Sequence, residues 1–311
     1  MKTYLRLIRL PNLLIIILAQ YLSIICIIKP VLGSVGIALS LSNIELFLVV
    51  ILTLLISFAG YIINDFYDRK IDEINKPGLN LFSRFNRTHL LLLYAVFNIS
   101  GIFLGFYLAK ISFQNIMGWL VAVIVILLWL YSARYKRYLL LGNIIVSFLS
   151  AMVVIIVWLF EFFKFRSVND YTIEYYEIIM TINVLILFYA LFAFILSLIR
   201  EIVKDIEDME GDAQAHCKTL PIVAGVKISK LIIGSLMSAV VLCLFFLQYQ
   251  QLSVLYNALS WYFGFAVQLP MVYLIYKIII ADTKADFHNI STFLKIIMFL
   301  GILSMLFIRI L

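Results

Sequence analysis

Charged residues are scarce in this sequence. Only 13% of its 311 residues are charged and 65% are hydrophobic, whereas soluble domains are about one quarter charged and about half apolar. This shortage excludes an ordinary soluble protein and indicates an integral membrane protein. We interpret the net charge of +7 as basic residues placed around membrane spans, so we expect no nucleic-acid partner.

Cysteine and histidine are also rare, with three of each. Cys26, Cys217 and Cys243 show neither paired spacing nor the spacing of metal ligands, and the histidines are scattered along the chain. The sequence therefore disfavours a disulfide framework and a zinc or haem site. It also lacks low-complexity tracts and any segment typical of a soluble domain. We expect residues 1–311 to form a single integral membrane domain.

Long apolar stretches, in contrast, are abundant. About 20 apolar residues cross the hydrocarbon core of a bilayer. No small-residue cleavage site follows the first stretch, so we predict a span there and not a cleaved signal peptide. The predicted fold class is an all-α polytopic membrane protein with nine transmembrane helices. The predicted spans are residues 11–28, 44–63, 88–109, 116–133, 139–160, 178–199, 228–248, 254–276 and 291–310.

The basic residues test this count of nine spans. With the N-terminus in the cytoplasm, 19 of the 24 basic residues fall on the cytoplasmic side, as the positive-inside tendency predicts. We therefore expect a cytoplasmic N-terminus and a C-terminus outside. The basic residues left on the outer side are Lys29, Lys110, Lys164, Arg166 and Arg309.

Two acidic clusters share one spacing and follow apolar stretches. Their positions at i, i+3 and i+7 place three side chains on one helix face. A single cluster of this kind could be an ordinary solvated helix end. Here, however, the predicted topology places both clusters on the cytoplasmic side. The clusters are Asp65, Asp68 and Asp72 in NDFYDRKID, and Asp205, Asp208 and Asp212 in KDIEDMEGD.

Repulsion between these carboxylates indicates bound divalent cations. Mg²⁺ held by carboxylates commonly also binds substrate phosphates, and Asn64 offers a neutral oxygen ligand beside the first cluster. A diphosphate substrate explains the nearby basic residues too, because Lys and Arg would neutralise its remaining charge. The candidate cations are Lys136, Arg137, Arg200, Lys204 and Lys218.

The electrostatics suggest a reaction. If the diphosphate leaves an allylic prenyl chain, the metals stabilise the negative charge that develops on it. A nucleophilic acceptor then captures the allylic cation, so the site must exclude water. Aromatic residues in the spans can stabilise the cation, but 25 Phe and 18 Tyr residues leave their identity open.

At these residues the chain resembles the UbiA superfamily of intramembrane prenyltransferases. Asn64-Asp65-x-x-Asp68-x-x-x-Asp72 is similar to its first aspartate motif, and Asp208-x-x-x-Asp212, preceded by Lys204-Asp205, is similar to its second. Two further stretches resemble the family, namely Tyr131-Ser132-x-x-x-Lys136 after the fourth span and Arg9-x-x-Asn12 at the first. The resemblance implies a helical fold around a central cavity, Mg²⁺ dependence and a prenyl diphosphate donor.

The acceptor stays open between two classes. Arg200-Glu201 and Lys204-Asp205 stand where members that prenylate 4-hydroxybenzoate carry Tyr-Asp and Tyr-Ala. That pattern resembles the branch that forms digeranylgeranylglyceryl phosphate from geranylgeranylglyceryl phosphate. The stretch after Arg200 also resembles members that use homogentisate. The chain departs from many members where Gly78-Leu79-Asn80 replaces Arg-Pro, so the contact made by that arginine must be absent or supplied by Arg84 or Arg87.

A cation-coupled transporter is the alternative outside enzymes, since acidic residues at membrane depth mark ion paths. Transporters, however, bind near the midplane at broken helices, whereas these clusters lie at helix ends. The working hypothesis is Mg²⁺-dependent transfer of a prenyl group, geranylgeranyl, from an allylic diphosphate to a hydroxyl of a membrane lipid acceptor. The expected metal ligands are Asp65, Asp68, Asp208 and Asp212, assisted by Asn64, Asp72 and Asp205. The expected substrate-binding residues are Asn12, Asn64, Tyr131, Lys136, Arg137, Arg200, Lys204 and Lys218.

Overall fold

The computed structural model describes residues 9–75, 86–168, 173–250 and 258–308, and within these ranges the chain is helical without strands. Nine of its helices are long and apolar enough to cross a membrane. They are α1 (Leu10–Gly33), α2 (Asn43–Asn75), α3 (Arg87–Ile111), α4 (Ile116–Ala133), α5 (Leu141–Val168), α6 (Ile173–Glu207), α7 (Val226–Gln250), α8 (Ala258–Ile280) and α9 (Lys284–Ile308).

The nine predicted spans are confirmed over the described residues, and two of the helices are much longer than a span. Helix α2 has 33 residues and α6 has 35, so each is about 50 Å long at 1.5 Å per residue. The hydrocarbon core is only about 30 Å thick. The surplus turns of α2 carry the first acidic cluster, and those of α6 carry the start of the second.

Helices α5 and α6 pack along each other, as do α2 and α3, and α9 packs against α6. Buried apolar side chains form two main clusters. One joins α1 to α5 with the first half of α6, and the other joins the second half of α6 with α7, α8 and α9. Helix α6 therefore belongs to both halves of the bundle and carries its polar C-terminal end between them.

Helices α1 and α8 each contain a wide π-helical turn, at Ser23–Ile28 and Phe263–Gln268. A proline follows each turn by two residues, at Pro30 and Pro270. Proline has no amide N–H to donate to the preceding turn, which explains why the regular hydrogen-bond ladder is interrupted there.

The end of the bundle opposite the acidic clusters is closed by polar contacts. The buried Glu161 carboxylate accepts the backbone N–H groups of Ser40 and Leu41 at 2.6 and 3.0 Å. Lys164 Nζ donates to Glu45 at 2.6 Å nearby. These contacts fix the α1–α2 connection against α5, so this end is structural.

Candidate active site

Two adjoining cavities lie inside the bundle. The larger has a volume of about 330 Å³ and is lined by α1, α2, α4, α5, α6 and α9. The smaller, of about 60 Å³, lies among the acidic clusters. We call them the apolar cavity and the acidic pocket. The residues that line both, and so mark where they meet, are Arg9, Asn64, Tyr131, Lys136, Glu201 and Lys204.

In the first cluster, two buried carboxylates are paired with cations from other parts of the chain. Asp65 forms an ion pair with Arg9, and Asp68 forms one with Lys136. Asp68 also accepts a hydrogen bond of 2.8 Å from Asn64 Nδ2. Burial alone would lower the pKa of Lys136, but Asp68 raises it well above its usual range. Lys136 therefore stays positively charged in the pocket.

The second cluster begins on α6 and continues on the short helix Met209–Gln214. Asp205 accepts a hydrogen bond of 2.8 Å from Asn143 Nδ2 on α5. Asp212 is buried, and this burial raises its pKa to about 6, with Asp208 and Asp68 adding to the rise and Lys136 opposing it. The pocket thus holds more negative charge than its own cations neutralise.

Asn75 joins the two acidic clusters. From the last turn of α2, its Nδ2 donates to the carbonyl oxygen of Asp208 at 3.1 Å, and its Oδ1 accepts the amide N–H of Gly211 at 3.1 Å. Lys284 Nζ donates to the carbonyl oxygen of Asn75 at 3.0 Å. The Asn75 side chain lies so close to Gly211 that a Cβ there would stand 2.5 Å from Asn75 Nδ2. Glycine is therefore required for this approach.

The oxygen atoms of the pocket fit a hard divalent cation. Asn64 Oδ1 and Asp208 Oδ1 are both buried and make no hydrogen bond among the described residues, although buried acceptors normally have a partner. Over the same residues, no three acidic, His or Cys side chains converge into a complete metal site. Mg²⁺ does not need one, because it keeps several waters and binds through one or two carboxylates plus substrate phosphates.

The UbiA prenyltransferase family model matches residues 28–303. The chain belongs to this family.

Three individual proteins show the same relationship. The digeranylgeranylglyceryl phosphate synthase of Methanosphaera stadtmanae is 29% identical over 266 residues, which cover 84% of this chain and 87% of the relative. A solved structure concerned with digeranylgeranylglyceryl phosphate synthase in membranes has a TM-score of 0.62 at 24% identity, with 100% of this chain and 99% of that chain covered. A UbiA homologue from Archaeoglobus fulgidus, bound to DMAPP and Mg²⁺, has a TM-score of 0.56 at 15% identity, covering 99% of each chain. The two solved structures share the fold of this chain.

The structure of this UbiA chain brings most of the predicted site residues together. Asp68, Asp205, Asp208 and Asp212 line the acidic pocket, and Asp65 lies beside them through its ion pair with Arg9. The predicted substrate-binding residues that line the apolar cavity are Asn12, Asn64, Tyr131, Lys136, Arg200 and Lys204.

Two predicted substrate-binding residues lie elsewhere. Arg137 and Lys218 are exposed and line neither cavity. Their backbones are joined instead, because Lys218 N donates to the Arg137 carbonyl oxygen at 2.8 Å. The side chain of Asp72 and the whole of Arg84 lie outside the described residues. Arg87 is exposed and its guanidinium lies 4.8 Å from the centre of the Phe66 ring.

The motifs did not predict four residues that contribute to the site. Asn75 links the clusters, Asn143 orients Asp205, Glu201 binds Arg200 and Lys204, and Lys295 on α9 lines the apolar cavity. Asn75 lies three residues after the end of the first motif, and its position at the helix end was the available signal. Asn143 and Lys295 lie in or beside apolar spans, where an isolated polar residue is itself a functional signal.

Aromatic side chains line the apolar cavity at four positions, which are Tyr61, Tyr131, Tyr189 and Phe192. Tyr131 is the aromatic residue that also lines the acidic pocket. Tyr189 is held at the inner part of the cavity by a hydrogen bond of 2.8 Å between its hydroxyl and Ser304 Oγ. The junction of the two cavities therefore presents one aromatic ring, Tyr131, between the charged and the apolar surroundings.

Proposed function

We propose that this protein transfers a geranylgeranyl group from its allylic diphosphate to the free hydroxyl of geranylgeranylglyceryl phosphate, with Mg²⁺ as cofactor. The observation that carries the proposal is the junction of a charged pocket with an apolar cavity. Such a cavity, within the usual range of ligand sites, suits a prenyl tail, and the pocket suits a diphosphate. The names of the relatives support the product, and Mg²⁺ in the Archaeoglobus homologue supports the metal.

The donor would lie across the junction. Its diphosphate would lie in the acidic pocket, where Arg9 and Lys136 supply positive charge, and its tail would follow the part of the apolar cavity that is lined by α1, α2 and α4. Apolar side chains that would contact the tail include Ile15, Leu52, Ile56, Val121, Ile124 and Leu128. This placement puts the allylic carbon, which joins tail to diphosphate, beside Tyr131.

The bond between the allylic carbon and the diphosphate oxygen breaks, and its electron pair leaves with the diphosphate. Asp68, Asp208 and Asp212 would hold Mg²⁺ together with the unpartnered oxygen of Asn64. When bound, the metal would stabilise the negative charge on the leaving diphosphate. The Tyr131 ring faces the allylic cation and stabilises it through its π electrons. The apolar walls exclude water, so the acceptor hydroxyl oxygen attacks the allylic carbon and forms the new C–O bond, and its proton passes to the released diphosphate.

We also propose that the acidic pocket faces the cytoplasm, with the N-terminus inside and the C-terminus outside. The support is the 19 to 5 distribution of basic residues. The exposed Glu210 beside the pocket offers a test. A cysteine introduced there should react with a membrane-impermeant thiol reagent in inside-out vesicles and stay protected in intact cells; the opposite pattern contradicts the orientation.

A product assay tests the reaction. Purified protein in nanodiscs would receive farnesyl, geranylgeranyl or a longer prenyl diphosphate, combined with geranylgeranylglyceryl phosphate, 4-hydroxybenzoate or homogentisate. We expect one dominant product, with the mass of a lipid phosphate that carries two geranylgeranyl groups. A dominant aromatic product instead would establish the alternative acceptor class, and no prenylated product with any pair would refute the proposed reaction.

A further inference from the structure

A group of cations lies in the apolar cavity apart from the aspartates. Arg200 and Lys295 line this cavity and not the acidic pocket, whereas Lys204 lines both. Arg200 and Lys204 come from the C-terminal half of α6, and Lys295 comes from the middle of α9. Side chains from two helices therefore place three positive charges on one wall, next to the junction of the cavities.

The negative charge available to this group is smaller than its positive charge. Glu201 Oε1 lies 2.6 Å from Arg200 Nη1, and Glu201 Oε2 lies 3.7 Å from Lys204 Nζ. Lys295 has no ion-pair partner within the described parts of the chain, and the repulsion from Arg200, Lys204 and Arg9 is opposed by a weaker attraction from Glu201. Lys204 also faces Asp205 and Asp212 in the acidic pocket, whereas, among the described carboxylates, Arg200 and Lys295 have only Glu201 beside them in the apolar cavity, which leaves an excess of about one positive charge there.

One donor of the group also lacks a partner. Arg200 Nε is buried and makes no hydrogen bond among the described residues, although buried donors are normally paired. Unpaired cations in an apolar wall are costly unless an anion joins them. A phosphomonoester carries about −1.5 to −2 at neutral pH and accepts several hydrogen bonds, so it would supply both the missing negative charge and a partner for Arg200 Nε.

We propose that Lys295, Arg200 and Lys204 form a phosphate subsite for the lipid acceptor, and that Lys295 selects phosphorylated acceptors over neutral ones. This inference rests on the proposed function. The donor diphosphate is the other source of phosphate, but two of the three cations lie outside the acidic pocket to which the donor is assigned. Binding there would leave the acceptor hydroxyl beside the junction, where the allylic carbon lies.

Steady-state kinetics with two acceptors test the subsite. Geranylgeranyl diphosphate would be combined with geranylgeranylglyceryl phosphate or with unphosphorylated geranylgeranylglycerol, using full-length protein in nanodiscs. Lys295→Met removes the charge, and Lys295→Arg keeps it. Lys227→Met is the matched control, because Lys227 is an exposed lysine on α7 outside both cavities.

Lys295→Met should raise the KM for the phosphorylated acceptor about tenfold to a hundredfold, the usual effect of one charged hydrogen bond. The KM for the donor and turnover of the neutral acceptor should not change, and Lys295→Arg and Lys227→Met should match the wild type. A raised donor KM with an unchanged acceptor KM would assign Lys295 to the diphosphate and overturn the subsite.

Failure of the subsite differs from failure of the proposed function. If the wild type prenylates neither lipid, the function is wrong whatever the variants do. If it prenylates the phosphorylated lipid but Lys295→Met does so with unchanged KM, only the subsite is wrong. Lys295→Gln is a second neutral variant, which guards against misfolding of Lys295→Met. The subsite proposal requires a loss that is selective for the phosphorylated lipid. Loss of turnover on both lipids in Lys295→Met and in Lys295→Gln would therefore also overturn it.

Discussion

Substituting Gly211 by alanine should separate the two acidic clusters without touching a carboxylate. The new Cβ would stand 2.5 Å from Asn75 Nδ2 and 2.7 Å from Asn75 Cγ. Because carbon contacts are favourable near 3.5 Å, Asn75 must move by roughly 1 Å. That movement breaks its two hydrogen bonds, to the Asp208 carbonyl oxygen and from the Gly211 amide.

The size of the effect follows from those two bonds. Each contributes about 1 kcal/mol, so about 2 kcal/mol of the energy that holds the clusters together is lost. At about 1.4 kcal/mol per factor of ten, this corresponds to an approximately thirtyfold weaker apparent affinity for Mg²⁺. Gly211 lies in the short helix Met209–Gln214, and alanine has a better helix propensity than glycine. A loss of Mg²⁺ affinity in Gly211→Ala therefore cannot be explained by a weaker helix.

Two measurements check this prediction. Thermal unfolding would be followed with and without Mg²⁺ and inorganic diphosphate, and turnover would be measured against Mg²⁺ concentration. In Gly211→Ala, the half-saturating Mg²⁺ concentration should rise about thirtyfold and stabilisation by the two ligands should fall. Gly234→Ala on α7 is the matched control, because no atom lies within 4 Å of its Cβ position.

A double substitution shows whether the clash is the cause. If the Asn75 side chain is what the new methyl group meets, Gly211→Ala should have little further effect in an Asn75→Ala background. Wild-type Mg²⁺ dependence in Gly211→Ala would refute the reasoning. So would equal and additive losses in the two backgrounds, because they would mean that the methyl group acts on something other than Asn75.

Three other predictions concern the pocket itself. Asp208→Asn should abolish turnover, as EDTA should, without lowering thermal stability in the absence of metal, because Asp208 Oδ1 has no hydrogen bond to lose; residual turnover near the wild-type rate would contradict a metal-binding role. Tyr131→Phe should keep most of the activity and Tyr131→Leu should lose about tenfold or more, because a ring stabilises a cation by about 1–2 kcal/mol; equal rates in product assays would exclude this ring from the reaction. The pKa of Asp212 is raised to about 6, so protons should compete with Mg²⁺ for this carboxylate as the pH falls from 7 to 5. The half-saturating Mg²⁺ concentration should therefore rise more steeply with falling pH in the wild type than in Asp212→Asn. Identical slopes in the two proteins would exclude Asp212 as the titrating group.

The spans could be predicted because bilayer thickness fixes their length. Residues 116–133, for example, were predicted with the bounds of α4. The ends of α2 and α6 could not be predicted in this way, because their surplus turns are polar and their conformation depends on packing. The i, i+3, i+7 spacing of the first cluster nevertheless predicts that the helix continues past the end of the second span near residue 63, and α2 does continue through the cluster to Asn75.

The acidic clusters could be predicted to share one end of the bundle, since α2 and α6 are both even-numbered spans and therefore run in the same direction. Their counterions could not be assigned. Arg9 and Asp65 are 56 residues apart, and Lys136 and Asp68 are 68 residues apart. Exposed cations near the acidic clusters, such as Arg137 and Lys218, look the same in the sequence as those that enter the cavities.

Lys295 shows most clearly what separates the two kinds of cation. In the sequence it is one of the 19 basic residues on which the predicted orientation rests, and its neighbours Leu294 and Ile296 are apolar. Helix α9 turns it towards α6, where Arg200 and Lys204 already exceed the charge of Glu201. A lysine with only a topological role would extend to the membrane surface. Lys295 instead lies in a cavity beside Arg200 and Lys204, where a bound anion would offset the repulsion between the three cations. The sequence does not show this arrangement, because it is produced by the packing of α6 against α9.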